Sequence, residues 1–469
     1  MGWVLNFEGA FLLLPAVTAL VYGEKEGYAF LICSLLSFVA GGLIVLKKPS
    51  NKRFYAREGF IICSMTWIVI SLVGAIPFVI TGVLPNFVDA LFEIVSGFTT
   101  TGSSVITDLT PVPHCILIWR SFSHWIGGMG VLVFILAILP LFGGVDMHLM
   151  RAESPGPSVG KLVPNVKKTA SYLYKIYLGM TVVQFVILLL SGMNLFDSIC
   201  ITFGTAGTGG FGIHNDSCLG YTLPQQTIIA VFMLLFGINF NVYFLLVRKK
   251  VKEIFNIEEV KWYLIIVFGA VTAIVLNWGR LDNLYYSIHH AFFSVASVIT
   301  TTGYGTVDFN LWPMFSKFVL VMIMFIGACA GSTGGGMKVS RILIYVKTVK
   351  KEIEGMIHQK SIKVLKMDGK TVEHSVIRNA NVYLVSYLMI MAVSLLIVAL
   401  DNFDFETSFT AVAATFNNIG PGLGKVGPTG NFSEFSNLSK IVLIFDMLAG
   451  RLEIFPMLLL FSRATWSRK

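Results

Sequence analysis

TTTGYGT, at residues 300–306, is one of four short stretches of this chain that are centred on glycine. The other three lie before and after it: FTTTGSS (98–104), TAGTGGFG (205–212) and NNIGPGLG (417–424). Their central glycines are separated by 107, 94 and 117 residues: Gly102, Gly209, Gly303 and Gly420. A pattern that recurs at roughly one hundred residues indicates four copies of one structural unit.

A short helical segment precedes each glycine in the sequence. The four segments are 89–100, 197–207, 287–300 and 405–416. A helix needs about 20 apolar residues to cross a bilayer, so segments of this length predict re-entrant half-helices. Each unit is therefore predicted as a span, a half-helix, a glycine strand and a second span.

The composition is that of a membrane protein. Hydrophobic residues make up 55% of the chain and charged residues 13%, whereas soluble domains carry about 25% charged residues. Ten apolar runs are long enough to be spans: 9–22, 27–46, 60–83, 115–143, 171–191, 224–247, 262–277, 313–346, 379–400 and 438–461. The first run lacks a small-residue cleavage site, which argues against a removable signal peptide.

The predicted fold is an all-α polytopic membrane protein with ten transmembrane helices and four re-entrant pore helices. All four helix–pore-loop–helix repeats have the same orientation, because each adds an even number of spans. Parallel units can close into a pseudo-four-fold ring around one pore, whereas inverted repeats would build a two-fold transporter. The predicted units are a two-span extension and four repeats: 1–50, 51–168, 169–255, 256–350 and 351–469.

Positive charge is confined to alternate connecting segments. Five segments, 47–58, 145–168, 248–261, 345–380 and 463–469, carry 25 Lys and Arg residues, whereas the four glycine-bearing segments carry only Arg280 and Lys425. The positive-inside rule then places both termini in the cytoplasm and the glycine strands toward the outside. The net charge of +9 is thus explained by topology, and no nucleic-acid partner is predicted.

Catalytic and metal-site motifs are not found in the sequence. The six cysteines form no CxxC pair, which excludes the common zinc and thioredoxin patterns. The chain contains no HExxH, no paired intramembrane aspartate and no serine–base set, so the alternative of an intramembrane enzyme has no support and we predict no catalysed reaction.

The glycine strands suit the coordination of a bare cation. Four short strands of backbone carbonyls around one axis can replace a hydration shell of about six to eight oxygens, and glycine allows successive carbonyls to point inward. Twelve residues are the predicted ligands and ligand-positioning residues: Thr100, Thr101, Gly102, Gly207, Thr208, Gly209, Thr301, Thr302, Gly303, Asn418, Ile419 and Gly420. The third strand resembles the TVGYG filter of potassium channels.

Nearly the whole chain resembles the Trk/Ktr/HKT superfamily of potassium transporters, and most of all its Trk-type membrane subunits. Besides the four strands, the resemblance rests on HWIGGMGVLVF (124–134), AESPGP (152–157), GACAGSTGGGMKVSR (327–341) and AGRLEIFP (449–456). In this family serine in the first strand accompanies sodium permeation, so Gly102 implies potassium. The fourth strand departs from TTTG, which implies a quasi-symmetric pore.

The resemblance also implies partners and a location. It implies potassium as the transported ion, no organic cofactor in this chain, a membrane homodimer, and a cytosolic NAD- or ATP-binding regulatory subunit of the TrkA type. The longest cytoplasmic segment, 345–380, is too short for a nucleotide-binding domain, so any nucleotide control comes from another chain. The expected location is the cell inner, or cytoplasmic, membrane.

Two features inside the spans are candidate gate elements. Residues 327–336 hold five glycines, each about 1 kcal/mol less favourable than alanine in a helix, and Arg451 lies in the last span, where charge is costly. In the family the first is an intramembrane gating loop and the matching arginine lies near it. The predicted gate residues are Gly331, Gly334, Gly335, Gly336, Lys338 and Arg451. A packing kink and a structural ion pair remain the alternatives.

Two mechanisms remain open for the transport itself. The first is passage of potassium through a selective pore that is gated by the loop and by the regulatory subunit. The second is a symporter of the same fold that couples potassium to sodium or protons.

Overall fold

The fold is described from a computed structural model, which describes residues 1–46, 56–130, 166–279, 283–358 and 364–466. Parts of the predicted span 115–143 and the AESPGP motif (152–157) lie outside the described residues. So do the predicted unit boundary at 50/51 and most of the cytoplasmic segment 145–168.

The secondary structure of the described residues consists of twenty α-helices, one hairpin and three 3₁₀ helices, at Phe309–Leu311, Ala399–Asp401 and Gly424–Val426. In chain order the helices are α1 Gly2–Phe11, α2 Leu13–Tyr22, α3 Gly27–Leu46, α4 Ala56–Ile80, α5 Phe87–Phe98, α6 His114–Gly128, α7 Val166–Leu190, α8 Leu195–Gly207, α9 Leu223–Phe236, α10 Asn241–Val247, α11 Val251–Ile254, α12 Glu258–Trp278, α13 Leu284–Ile299, α14 Met314–Ile326, α15 Val339–Ile357, α16 His374–Val398, α17 Phe405–Phe416, α18 Asn437–Arg451, α19 Phe455–Phe461 and α20 Arg463–Trp466. The hairpin pairs β1 Lys366–Met367 with β2 Lys370–Thr371 in antiparallel register.

Several helices are long and apolar enough to cross a bilayer. Six qualify among the described residues, and a seventh is obtained if α9 and α10, which meet at an angle of 94°, are counted as one span. The chain is therefore a multi-pass, mostly helical membrane protein.

Within the described residues, three of the predicted spans are interrupted by three or more non-helical residues. The span 224–247 bends between α9 and α10, the span 313–346 is broken at 327–338, and the span 438–461 is broken at 452–454. At the last break Glu453 and Ile454 both have positive φ, of 61° and 67°, which a helix cannot accommodate. Pro456 then starts α19, where its fixed φ and missing N–H are tolerated.

The four short helices α5, α8, α13 and α17 occupy the predicted half-helix segments. Each begins at an Asn or Asp whose side-chain oxygen accepts a hydrogen bond from a backbone N–H of the first turn: Asn86, Asn194, Asn283 and Asp404. Such caps satisfy N–H groups that a helix leaves without partners. The same local chemistry therefore starts all four short helices.

The four short helices are arranged in a closed cycle of contacts. Besides its neighbours in the sequence, each packs against the helix that follows another short helix and its glycine stretch: α8 against α6, α13 against α9, α17 against α14, and α5 against α18. The last pair joins the end of the chain back to the first short helix and closes the cycle. The helices α1 to α3 lie outside this cycle and pack on α4 and α6.

Candidate functional site

The candidate site is formed by four strands that follow directly from the short helices. We call residues 100–102, 208–210, 301–303 and 418–420 the filter strands. The first residue of each is left-handed, with nearly the same φ: Thr100 56°, Thr208 56°, Thr301 58° and Asn418 56°. The second residue of each donates its N–H to a carbonyl five residues earlier in the short helix, so all four chains leave their helices in the same way.

The glycines at the third position bring the strands into contact with one another. A Cβ added to Gly102 would overlap the carbonyl oxygen of Gly209, and one added to Gly210 would overlap that of Thr302. A Cβ on Gly303 would lie 3.0 Å from the nitrogen of Gly420, and one on Gly420 would lie 2.8 Å from the carbonyl oxygen of Gly102. The strands therefore form a closed ring in which each glycine leaves room for the next strand.

The second filter strand corrects the sequence prediction by one residue. By sequence spacing Gly209 is predicted to be equivalent to Gly102, Gly303 and Gly420, but the backbone hydrogen bonds place Gly210 at that position. Gly210 also has a φ of 78°, close to the 83° of Gly102 and unlike Gly209. Gly207, predicted as a strand residue, is the last residue of α8. Two adjacent glycines made the register ambiguous in the sequence, and the helix end resolves it.

Threonine hydroxyls brace the first and third strands in the same way. The Oγ1 atoms of Thr99 and Thr101 lie 2.8 Å apart, and so do those of Thr300 and Thr302. In the fourth strand the Nδ2 of Asn418 donates to the Oγ1 of Thr101 at 3.0 Å. The asparagine that departs from TTTG is thus bonded to the neighbouring strand.

A cavity of about 250 Å³ lies on one side of the ring. We call it the outer cavity, because the Lys and Arg distribution predicts that this side faces outward. Its lining includes all four glycines at the third strand position, together with His214, Asn215 and Pro428. All four filter strands therefore border one cavity.

The stretch 327–338, which we call the glycine loop, packs directly against the opposite side of the ring. The N–H of Gly335 donates to the Oγ1 of Thr301 at 2.6 Å, and the N–H of Gly336 donates to the carbonyl oxygen of Asn417 at 3.1 Å. The buried Lys338 donates through Nζ to the carbonyl oxygen of Gly334. Gly331 lies farther along, where its carbonyl oxygen accepts from the N–H of Phe240 at 3.0 Å.

Arg451 connects the glycine loop to the C-terminal end of α6 through hydrogen bonds. Its guanidinium donates to the carbonyl oxygen of Thr333 at 2.8 Å, to that of Gly128 at 2.8 Å and to that of Gly127. Glu453 instead pairs with Arg341, so Arg451 and Glu453 have separate partners. Arg451 thereby links the glycine loop to the end of α6.

Comparison with known proteins assigns the chain to a family. The sequence model of the TrkH family, described as "Cation transport protein", matches residues 27–468. The chain belongs to the TrkH family. It is 36% identical to the Trk system potassium uptake protein TrkH of Escherichia coli K12, over 99% of this chain and 97% of that protein. It is 36% identical to TrkG of the same strain, with the same coverage.

A solved structure supports the fold of this TrkH-family chain. The crystal structure of the potassium transporter TrkH from Vibrio parahaemolyticus superposes with a TM-score of 0.89 at 32% identity. The match covers 99% of this chain and 98% of that one.

A buried ion pair lies beside the outer cavity of this TrkH-family member and was not predicted from the sequence. Arg120, on α6, and Glu93, on α5, are 2% and 0% exposed, and their Nε and Oε1 atoms lie 2.7 Å apart. Arg120 also donates to the carbonyl oxygen of Gly212 at 3.1 Å, and Glu93 accepts from the N–H of Val105 at 2.9 Å. The pair joins the segments that follow the first two filter strands. An arginine within an apolar run was the available signal.

The two histidines near the third strand have hydrogen-bond partners. The Nε2 of His289 lies 2.8 Å from the Oε1 of Gln226, and the Nδ1 of His290 lies 2.9 Å from the Oγ1 of Thr306. No group of three or more His, Cys, Asp or Glu side chains in the described part of the chain could hold a metal ion.

Proposed function

We propose that this TrkH-family chain passes potassium ions inward across the cytoplasmic membrane through one pore, lined by four quasi-equivalent repeats. The observation that carries the proposal is the closed ring of filter strands, in which Gly102, Gly210, Gly303 and Gly420 each abut the next strand. Carbonyl oxygens in such a ring can replace the hydration shell of a cation. The bounds 51–168, 169–255, 256–350 and 351–469 are our proposal for the repeats.

Potassium is the proposed ion because two independent observations favour it. The relatives are named as potassium uptake proteins, and glycine stands at the third position of all four strands. Potassium is the cargo, and we propose neither an organic cofactor nor a catalysed reaction for this chain.

The glycine loop is the proposed gate. It lies against Thr301 and Asn417 on the side of the ring away from the outer cavity, and Arg451 connects it to Gly127 and Gly128. A cation leaving the ring on this side meets both the loop backbone and a guanidinium charge. Displacing the loop would open the path.

Orientation and partners complete the proposal. The Lys and Arg distribution supports cytoplasmic termini and an outward-facing cavity. We further propose a homodimer in the membrane, regulated by a cytosolic subunit that binds NAD or ATP, as the family resemblance implies. The relatives are named as proteins of a Trk system, which supports a system of several components.

Ion flux into liposomes that contain the purified chain tests the proposal. We expect uptake of potassium and rubidium well above sodium, and a reduced potassium-over-sodium preference for Gly102→Ser, because the side chain would displace the neighbouring carbonyl of Gly209. Gly192→Ser is the matched control, since Gly192 has a φ of 85° but no atom near its Cβ position. Unchanged selectivity of Gly102→Ser, or an equal change in the control, contradicts the proposed filter.

The same liposomes distinguish a pore from a coupled symporter. A pore gives a reversal potential set by the potassium gradient alone. A reversal potential that moves with a sodium or proton gradient would instead establish coupling.

A further inference from the structure

Glu259 is a buried carboxylate that contacts both ends of the glycine loop. It lies in the first turn of α12 and is 4% exposed. A single oxygen, Oε1, accepts hydrogen bonds from the N–H of Ala330 at 2.6 Å and from the N–H of Ser340 at 3.1 Å. Ala330 lies near the start of the loop and Ser340 just after its end. One carboxylate oxygen therefore holds the two ends of the loop together.

The preceding residue, Glu258, is hydrogen-bonded to the hairpin formed by β1 and β2. The turn of this hairpin is formed by Asp368 and Gly369, whose φ values of 52° and 73° are positive, as in a type I′ turn. The Oδ1 of Asp368 accepts from the N–H of Glu258 at 2.7 Å, and the N–H of Asp368 donates to the Oε1 of Glu258 at 3.1 Å. Lys347 of α15 donates to the carbonyl oxygen of Lys366 at 2.8 Å and pairs with Glu258.

A cavity of about 370 Å³ separates the hairpin from the glycine loop. Glu259, Ala330 and Ser340 line one part of it, while Asp368 and Lys370 line another. Because this space is open, the hairpin does not support the loop by direct packing there. The reciprocal bonds at Glu258 place the neighbouring Glu259 and thus connect the two.

We propose that Glu259 is a positioning residue that keeps the glycine loop against the filter strands, and that the hairpin at residues 366–371 holds Glu259 in place from the cytoplasmic side. The inference rests on the proposed function, in which the loop obstructs the pore. Displacement of the hairpin would shift the start of α12, separate Ala330 from Ser340 and release the loop. A conformational change on the cytoplasmic side would thereby be transmitted through the hairpin to the proposed gate.

The chemistry of the two bonds determines which variants are informative. Hydrogen bonds to a charged acceptor are stronger than neutral ones, and Glu259→Ala removes both at once. Glu259→Gln retains a carbonyl oxygen that can accept both N–H groups. Asp368→Gly retains the positive φ of the turn but removes the side-chain acceptor. Glu253→Ala is the control, since Glu253 is an exposed cytoplasmic-side acid paired only with Lys250 among the contacts described.

Two readouts in liposomes that contain the full chain test the proposal. The first is basal rubidium flux, expected to rise about tenfold in Glu259→Ala, which corresponds to about 1.4 kcal/mol. A smaller rise is expected in Asp368→Gly, and flux near wild type in Glu259→Gln and Glu253→Ala. The preference for potassium over sodium stays unchanged, because the filter strands are untouched.

The second readout is the reactivity of Cys329, a native residue of the loop. Its side chain is buried, as are those of the other five cysteines, so a thiol reagent reacts slowly with the wild-type protein. Release of the loop exposes Cys329 in Glu259→Ala and in Asp368→Gly, and peptide mapping identifies the labelled cysteine. A merely structural weakening would expose cysteines throughout the bundle.

The outcomes that overturn the proposal differ from those that overturn the proposed function. Absence of potassium flux in the wild-type chain contradicts the proposed function itself. Two results contradict only the role of Glu259: wild-type flux in Glu259→Ala with Cys329 still protected, or an equal rise in rubidium flux in Glu259→Ala and Glu259→Gln. If Glu259→Ala does not fold, a folded Asp368→Gly protein with normal flux and a protected Cys329 likewise ends the proposal.

Discussion

The Arg120–Glu93 pair shows how single residues join the segments that follow the first two filter strands. Arg120 reaches from α6 to the carbonyl oxygen of Gly212, and its guanidinium carbon lies 4.2 Å from the centroid of the Phe211 ring. Glu93 accepts hydrogen bonds from Val105 and Ser104. The pair is therefore a fully bonded buried unit, and removal of either member leaves an uncompensated charge.

We expect Arg120→Ala to lower the free energy of unfolding by about 3–5 kcal/mol, the usual cost of breaking a buried ion pair on one side. Arg120→Lys should restore little, because an ammonium lacks the planar fork that reaches Glu93 and Gly212 together. Thermal unfolding of the purified protein in detergent measures the loss. The exposed Arg248→Ala is the control, and an unfolding midpoint of Arg120→Ala equal to that of the control would contradict the account.

Residue-level features of the filter were only partly predictable from sequence. The four glycine-centred stretches stand out because the motif recurs, and three of the four strand registers follow from it. The second required the backbone, since Gly209 and Gly210 are equivalent by composition and only the end of α8 distinguishes them. The bond between Asn418 and Thr101 joins residues 317 positions apart, which sequence spacing does not reveal.

The glycine loop is the element on which the proposed gating depends. Its glycines are needed for close approach as well as for conformation: a Cβ on Gly335 would lie 2.5 Å from the carbonyl oxygen of Asn417, and one on Gly334 would lie 2.9 Å from that of Thr300. Helix interruption at 327–336 followed from composition, because glycine disfavours helix. The breaks at 237–240 and 452–454 carry weaker signals and emerge only from tertiary packing.

Gly335→Ala should displace the glycine loop from the ring and raise basal potassium flux. Overpacking of this kind typically costs about 1–3 kcal/mol, and 1.4 kcal/mol shifts a two-state equilibrium about tenfold. Gly355→Ala is the control, because Gly355 lies in α15 with no atom near its Cβ position. Rubidium flux into liposomes reports the change; equal flux from the two variants would leave the loop as a packing kink.

At the scale of the whole molecule, the four short helices contact their neighbouring helices through different side-chain chemistry. Lys317 of α14 pairs with Glu406 of α17 at 2.8 Å, and Lys440 of α18 pairs with Asp89 of α5 at 2.6 Å. The contact between α9 and α13 instead contains the hydrogen bond between His289 and Gln226. The four short helices could be predicted from the recurring glycine motif, whereas their hydrogen-bond and ion-pair partners depend on the folded arrangement.

The central claim is that the filter strands surround a cation path. Rubidium scatters strongly enough to be located by anomalous diffraction, so crystals of the protein grown in rubidium provide the most direct measurement. The account predicts anomalous density on the axis enclosed by the carbonyl oxygens of the four strands, between the outer cavity and the glycine loop, and its loss when rubidium is replaced by sodium. Density elsewhere in the molecule but none inside the ring of Gly102, Gly210, Gly303 and Gly420 would contradict it.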